Sequence, residues 1–113
     1  MKNFLLKTCL FLSLLLVIRS VSANVSLVVL GDSLSAGYGL SQEQTWVAEL
    51  DRRWNSSHPD INIINASISG ETTRGGLSRL ESVLERHQPD ALFIELGGND
   101  GLRGFDLNTV RSN

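Results

Sequence analysis

The apolar run Val25-Ser26-Leu27-Val28-Val29-Leu30 ends directly on Gly31-Asp32-Ser33. It is short, rich in β-branched residues and continuous rather than alternating. That is the pattern of a central strand in a parallel sheet, covered on both faces. Gly31 breaks the run, so a serine is delivered to the strand's carboxyl end in a tight turn. A hydroxyl is a poor nucleophile unless the fold exposes it at a sharp turn, beside a base and near donors that hold an oxyanion. This one junction therefore constrains both the fold and the chemistry.

The rest of the chain repeats the theme. Gly37, Gly39 and Ser41 mark an irregular turn. Gln44–Trp54 carries Trp46, Val47, Leu50 and Trp54 on one face at helical spacing, with Glu43, Glu49, Asp51 and Arg52 largely opposite. The segment 55–60 is a loop by its turn chemistry. Ile61–Ile64 is expected as a second strand, and 65–73 as a polar loop of small residues. A second helix follows, with Leu77, Leu80, Val83 and Leu84 as its apolar stripe and Thr72 or Thr73 as its cap. Gly75 and Gly76 weaken its first turn, and Pro89 lies past its end. Ala91–Ile94 is the third strand, running into Glu95-Leu96-Gly97-Gly98-Asn99-Asp100. Strand, helix, strand, helix, strand is the order of right-handed crossovers in a parallel sheet. Sites in such sheets gather outside the carboxyl ends of the strands. Ser33, the Ser69-Gly70 loop and Asn99 all fall there.

Residues 1–23 are set apart from this pattern. Lys2 and Lys7 give a positive start, Leu10–Ile18 is apolar apart from Ser13, and Val21-Ser22-Ala23 supplies small residues. This is the form of a secretory signal cleaved after Ala23, and it implies a periplasmic or secreted protein. The alternative is a membrane anchor, but the apolar run is about half of the roughly 20 residues a span needs. Removal of residues 1–23 takes away the single cysteine, Cys9, and with it any disulfide or cysteine metal site. It also removes Lys2, Lys7 and Arg19, leaving seven arginines against twelve acids, a net charge of −5. Such a surface argues against nucleic acid and against an anionic membrane patch.

Each candidate site residue has a plain structural reading beside the functional one. Ser33 is either a nucleophile or a helix N-cap, with Asp32 forming the turn. Gly70 is either a turn glycine with positive φ or a backbone N–H that approaches a substrate oxygen because no Cβ blocks it. Asn99 is either a cap residue after Gly97-Gly98 or a side-chain amide donor to the same oxygen. Asp100 is expected as a local structural acceptor. His58 with Asp60 gives only two metal ligands on one loop, and no third accompanies them.

Taken together, the segments LGDSLSAGYGLS, NASISGETT, Gly75-Gly76-Leu77 with Arg79-Leu80, and LGGNDGLRGF resemble the SGNH (GDSL) hydrolase superfamily. Within it the likeness is to the periplasmic thioesterase I, lysophospholipase and arylesterase type. It extends from Val25 to Phe105. The resemblance implies an α/β fold: a three-layer α/β/α, flavodoxin-like sandwich on a parallel sheet. It implies Ser33 as nucleophile, with its own N–H, the Gly70 N–H and the Asn99 side chain as oxyanion hole. It implies small acyl ester or thioester substrates, no cofactor or metal, no nucleic-acid partner, no stable membrane anchor and a monomeric whole protein.

One signature of that family does not occur in these 113 residues. The Asp-x-x-His that carries the general base and its orienter has no match. His58 and His87 are the only histidines, and neither has an aspartate three residues before it. His58 lies in the loop before the second strand and His87 ends the second helix, so both lie toward the edge where parallel strands begin, opposite the candidate site. The sequence thus reads as a signal (1–23) and the N-terminal part of a hydrolase domain (24–113), cut after about the third strand. Its rival is a non-catalytic remnant that at most binds acyl ligands.

Overall fold

Strand β1 (Val25–Gly31) lies between β2 (Ile61–Asn65) and β3 (Ala91–Glu95) in the computed structural model, which describes residues 24–113. The expected signal and its cut after Ala23 lie outside the described residues. Both neighbours of β1 run parallel to it. Val25 pairs with Ile61 and Val29 with Asn65 on one side; Leu27 pairs with Ala91 and Gly31 with Glu95 on the other. The strand order 2-1-3 follows from two crossovers that leave β1 central, as its unbroken apolar character requires. Val28, Val29 and Leu30 are all but inaccessible to solvent.

Among the described residues, five α-helices connect and flank the strands: α1 (Ser33–Ala36), α2 (Trp46–Ser57), α3 (Thr73–His87), α4 (Gly98–Leu102) and α5 (Leu107–Ser112). Alternation along β1 sends its side chains to two faces. Val28 and Leu30 pack with Val83 of α3, joined by Ile64, Leu80, Leu92 and Leu96. Val29 points the other way, beside its register partner Phe93, whose ring meets Trp46 of α2 edge-on at 5.9 Å. Helix, sheet and helix thus form the three layers of a flavodoxin-like α/β fold.

The helix ends follow side-chain chemistry. Thr45 Oγ1 accepts from Ala48 N at 3.1 Å and starts α2; Thr72 Oγ1 accepts from Gly75 N at 3.1 Å and starts α3. Helix α3 stops at Gln88, which adopts a left-handed conformation (φ 42°) just before Pro89. Gly76 allows α3 to sit close to the sheet: a Cβ there would lie 2.4 Å from Leu96 Cδ1.

Several boundaries differ from the expectation. The helix expected from Gln44 begins only at Trp46, after a separate 3-10 turn over Gln42–Gln44, because the Thr45 hydroxyl resets the start. It then runs three residues past Trp54. Each strand extends one residue beyond its apolar run, since Gly31, Asn65 and Glu95 still have register partners. Helices α1, α4 and α5 are too short to show a periodicity in sequence. Trp46, placed on the buried face by its spacing, is 40% exposed. On its far side β3 has no neighbouring strand among the described residues, and Phe93 and Ile94 are half exposed.

Candidate active site

The first turn after β1 is built around Asp32. The residue is 3% exposed; its carboxylate caps α1 by accepting from Leu34 N at 3.0 Å, and accepts from Asn99 Nδ2 at 3.1 Å. Asp32 is therefore the cap of α1, and Ser33 is that helix's first residue, half-buried rather than the N-cap itself. The turn is anchored from below by Ser35, which is fully buried. Ser35 Oγ donates to Glu95 Oε2 at 2.9 Å and accepts from Trp46 Nε1 at 3.2 Å, while its carbonyl accepts from Asn65 Nδ2 at 2.7 Å. All three strands and α2 thus contribute to holding the serine turn. Gly31 must be glycine here, because a Cβ would meet Ser35 Cβ and Oγ at 2.8 Å.

The second loop, 66–72, is held just as closely. Ile68 N donates to Gly31 O at 3.0 Å, and Glu71 N to Ile68 O at 3.1 Å. Gly70 adopts φ +81°, a region that side chains disfavour. Its carbonyl accepts from Arg103 Nη2 at 3.0 Å. The Glu71 side chain pairs with Arg79 Nε at 2.5 Å; the two side chains are only 11% and 21% exposed.

The third loop supplies Asn99 and Asp100 at the start of α4. Asn99 Nδ2 donates both to Asp32 Oδ2 and, at 2.9 Å, to Glu71 O. One amide therefore ties the first and second loops together. Asp100 is fully buried and faces the other way: its carboxylate accepts from Thr73 N at 2.9 Å and from Thr73 Oγ1 at 2.7 Å. Burial pushes its carboxyl pKa up, but the Thr73 hydroxyl and amide outweigh that and hold it below the usual 3.8. Asp100 is a structural acceptor, as expected from sequence, but the donors to its side chain are on Thr73, 27 residues away, rather than within its own loop.

Ser33, Ser69, Gly70 and Asn99, with Tyr38, line one shallow cavity of about 340 Å³. Within the described residues neither the Ser33 N–H nor the Gly70 N–H has an acceptor, and Ser33 Oγ has no hydrogen-bond partner. No histidine lines this cavity. His58 caps the end of α2, its Nδ1 2.8 Å from Ser57 Oγ; His87 closes α3. Both helices end where β2 and β3 begin, at the opposite end of the sheet from Ser33. Sequence reasoning missed Ser35, Glu95, Arg79 and Arg103. The first two form a pair 60 residues apart, and no local pattern announces such a contact.

The serine at the carboxyl end of the central strand thus shares one cavity with a glycine loop and an asparagine. The chain belongs to the GDSL-like lipase/acylhydrolase family, which it matches over residues 29–113. It is 50% identical to thioesterase 1/protease 1/lysophospholipase L1 of Escherichia coli over 95 residues, 84% of this chain and 44% of that one. It is 48% identical to the esterase TesA of Pseudomonas aeruginosa over all 113 residues, 55% of that protein. The crystal structure of the esterase EstA from Pseudoalteromonas, inhibited by monoethylphosphonate, superposes with a TM-score of 0.74 at 49% identity; the match covers 77% of this chain and 48% of EstA. The chain spans about half the length of the curated relatives it matches.

Proposed function

We propose that the protein acts as a serine hydrolase of acyl esters or thioesters, with Ser33 as nucleophile. Ser33 Oγ attacks the substrate carbonyl, the alcohol or thiol leaves with a proton, and water then cleaves the Ser33 ester. The Ser33 N–H, the Gly70 N–H and the Asn99 amide serve as donors to the oxyanion. The observation that carries this reading is the shared cavity: Ser33, Gly70 and Asn99 line one space, and the Ser33 and Gly70 N–H groups have no acceptor among the described residues. Tyr38, which lines the cavity, and Leu34, exposed next to Ser33, suit an acyl chain. The scheme uses no metal or cofactor. It requires a base from outside the described residues, because none of them beside Ser33 can take its proton. Export to the periplasm or beyond, through cleavage after Ala23, belongs to the same reading.

A fluorophosphonate probe followed by peptide mass spectrometry tests it, alongside turnover of a short-chain nitrophenyl ester. The expected adduct is on Ser33, and Ser33→Ala removes both adduct and turnover. A form of the protein carrying an Asp-x-x-His segment is expected to turn over far faster than these 113 residues alone. Turnover that survives Ser33→Ala would sink the assignment. An unlabelled Ser33 in every form would favour an acyl-binding protein without catalysis.

A further inference from the structure

Residues 65–68 face a second cavity, of about 390 Å³, whose chemistry differs from that of the serine pocket. Arg79, Ser82, Arg86 and His87 line it from one stripe of α3, at the spacing that puts residues on a single helix face. Ser67 lies across from them, and no carboxylate is part of the wall. Residues 24–113 hold seven arginines in a chain of net negative charge, yet two of the seven meet here. Arg79 is short of acceptors: Glu71 takes its Nε, while its Nη2 is buried with no partner among the described residues. A buried guanidinium nitrogen without an acceptor is costly. Arg86 forms no ion pair within the described residues. The usual role of cations in a last helical turn is to offset the exposed carbonyls. That accounts for Arg86 and His87, but not for Arg79 two turns earlier nor for the hydroxyls.

We infer that this cavity binds a phosphate group, with Arg79 and Arg86 as the charged donors and Ser67, Ser82 and His87 as neutral or ring N–H donors. Two guanidinium groups and hydroxyls around one space suit a tetrahedral oxyanion, because each oxygen accepts several charge-assisted hydrogen bonds. The phosphate can be free or part of a phosphodiester headgroup. The site is separate from the serine cavity, and the inference does not rest on the hydrolase reading.

Calorimetric titration of the full chain with inorganic phosphate, and separately with glycerophosphoglycerol, tests it at constant ionic strength set by chloride. The expected result is saturable binding of at least one of the two. Arg86→Gln, an exposed position that the fold tolerates, should weaken it about tenfold or more. His87→Gln should weaken it less. Binding of phosphate alone assigns a free anion; binding of the diester assigns a headgroup. No saturable binding of either, or binding undiminished in Arg86→Gln, overturns the inference.

Discussion

Asn99 donates twice before any substrate arrives, to Asp32 Oδ2 and to the Glu71 carbonyl. An ester carbonyl is a weak competitor for either hydrogen, whereas a developing oxyanion is a strong one. On the proposed mechanism the amide therefore discriminates in favour of the transition state, where differential binding accelerates the reaction. In the catalytically competent protein, Asn99→Ala is expected to lower kcat by about 10²–10³ with little change in KM. Ser33→Ala is expected to abolish the acyl-enzyme altogether. Steady-state kinetics on one ester, with mass spectrometry for the adduct, checks both; an unchanged kcat in Asn99→Ala removes Asn99 from the oxyanion hole. Asp100 gives a prediction of a different kind. Its folded pKa lies below the unfolded value near 3.8, so its contribution is fully present above pH 3.8 and is lost as pH falls through the folded pKa. Asp100→Asn should therefore flatten the most acidic part of the stability curve, below pH 3.8, and destabilise by on the order of 2–3 kcal/mol at pH 7 through its lost charged acceptor. Denaturant titrations at pH 3 and pH 7 measure this; parallel curves for the two proteins would contradict it.

The apolar elements were legible in the sequence, and their ends were not. Val25–Leu30 announced a central strand because six residues without polar alternation have nowhere to go but between two layers. Leu77, Leu80, Val83 and Leu84 likewise announced α3, but its cap stayed open between Thr72 and Thr73 until the structure placed it at Thr72. The buried polar contacts left no such trace. Ser35 reads as one more small residue after Ser33, and only the fold brings Glu95 and Trp46 to it. Gly70 and Asn99 were legible as candidates through their loop positions, but not the fact that one amide ties two loops together. The packing also ranks the apolar residues of these elements in a way that spacing did not. Leu30 is 1% exposed in the α3 layer, whereas Leu77 is 49% exposed. Leu30→Ala is expected to cost about 2–5 kcal/mol, by lost burial and a residual cavity. Leu77→Ala should cost about 1 kcal/mol or less, since half of that side chain is already in water. Urea unfolding of the two variants decides the ranking; equal losses would mean that α3 packs differently from the arrangement described.

At the scale of the whole molecule the sheet has two edges among the described residues, β2 and β3, and β3 is the more exposed. The sheet's centre is fully covered, while β3 presents an unpaired edge among the described residues, with Phe93 and Ile94 half exposed beside it. Such an edge is a template for another strand. The 113-residue chain is therefore expected to associate with rising concentration, and Ile94→Lys to suppress that association. Sedimentation velocity over a hundredfold concentration range tests this; a monomer throughout would refute it. The central position of β1 has a consequence in time as well. The first strand among the described residues is also the one that needs both neighbours, and Ser26 must wait for Asp90, 64 residues later, before its amide is bonded. Closing so long a loop carries an entropic cost ahead of any reward from pairing. During synthesis β1 is made first and satisfied last. The segment that delivers the candidate nucleophile therefore spends the longest interval of folding as an unpaired apolar strand.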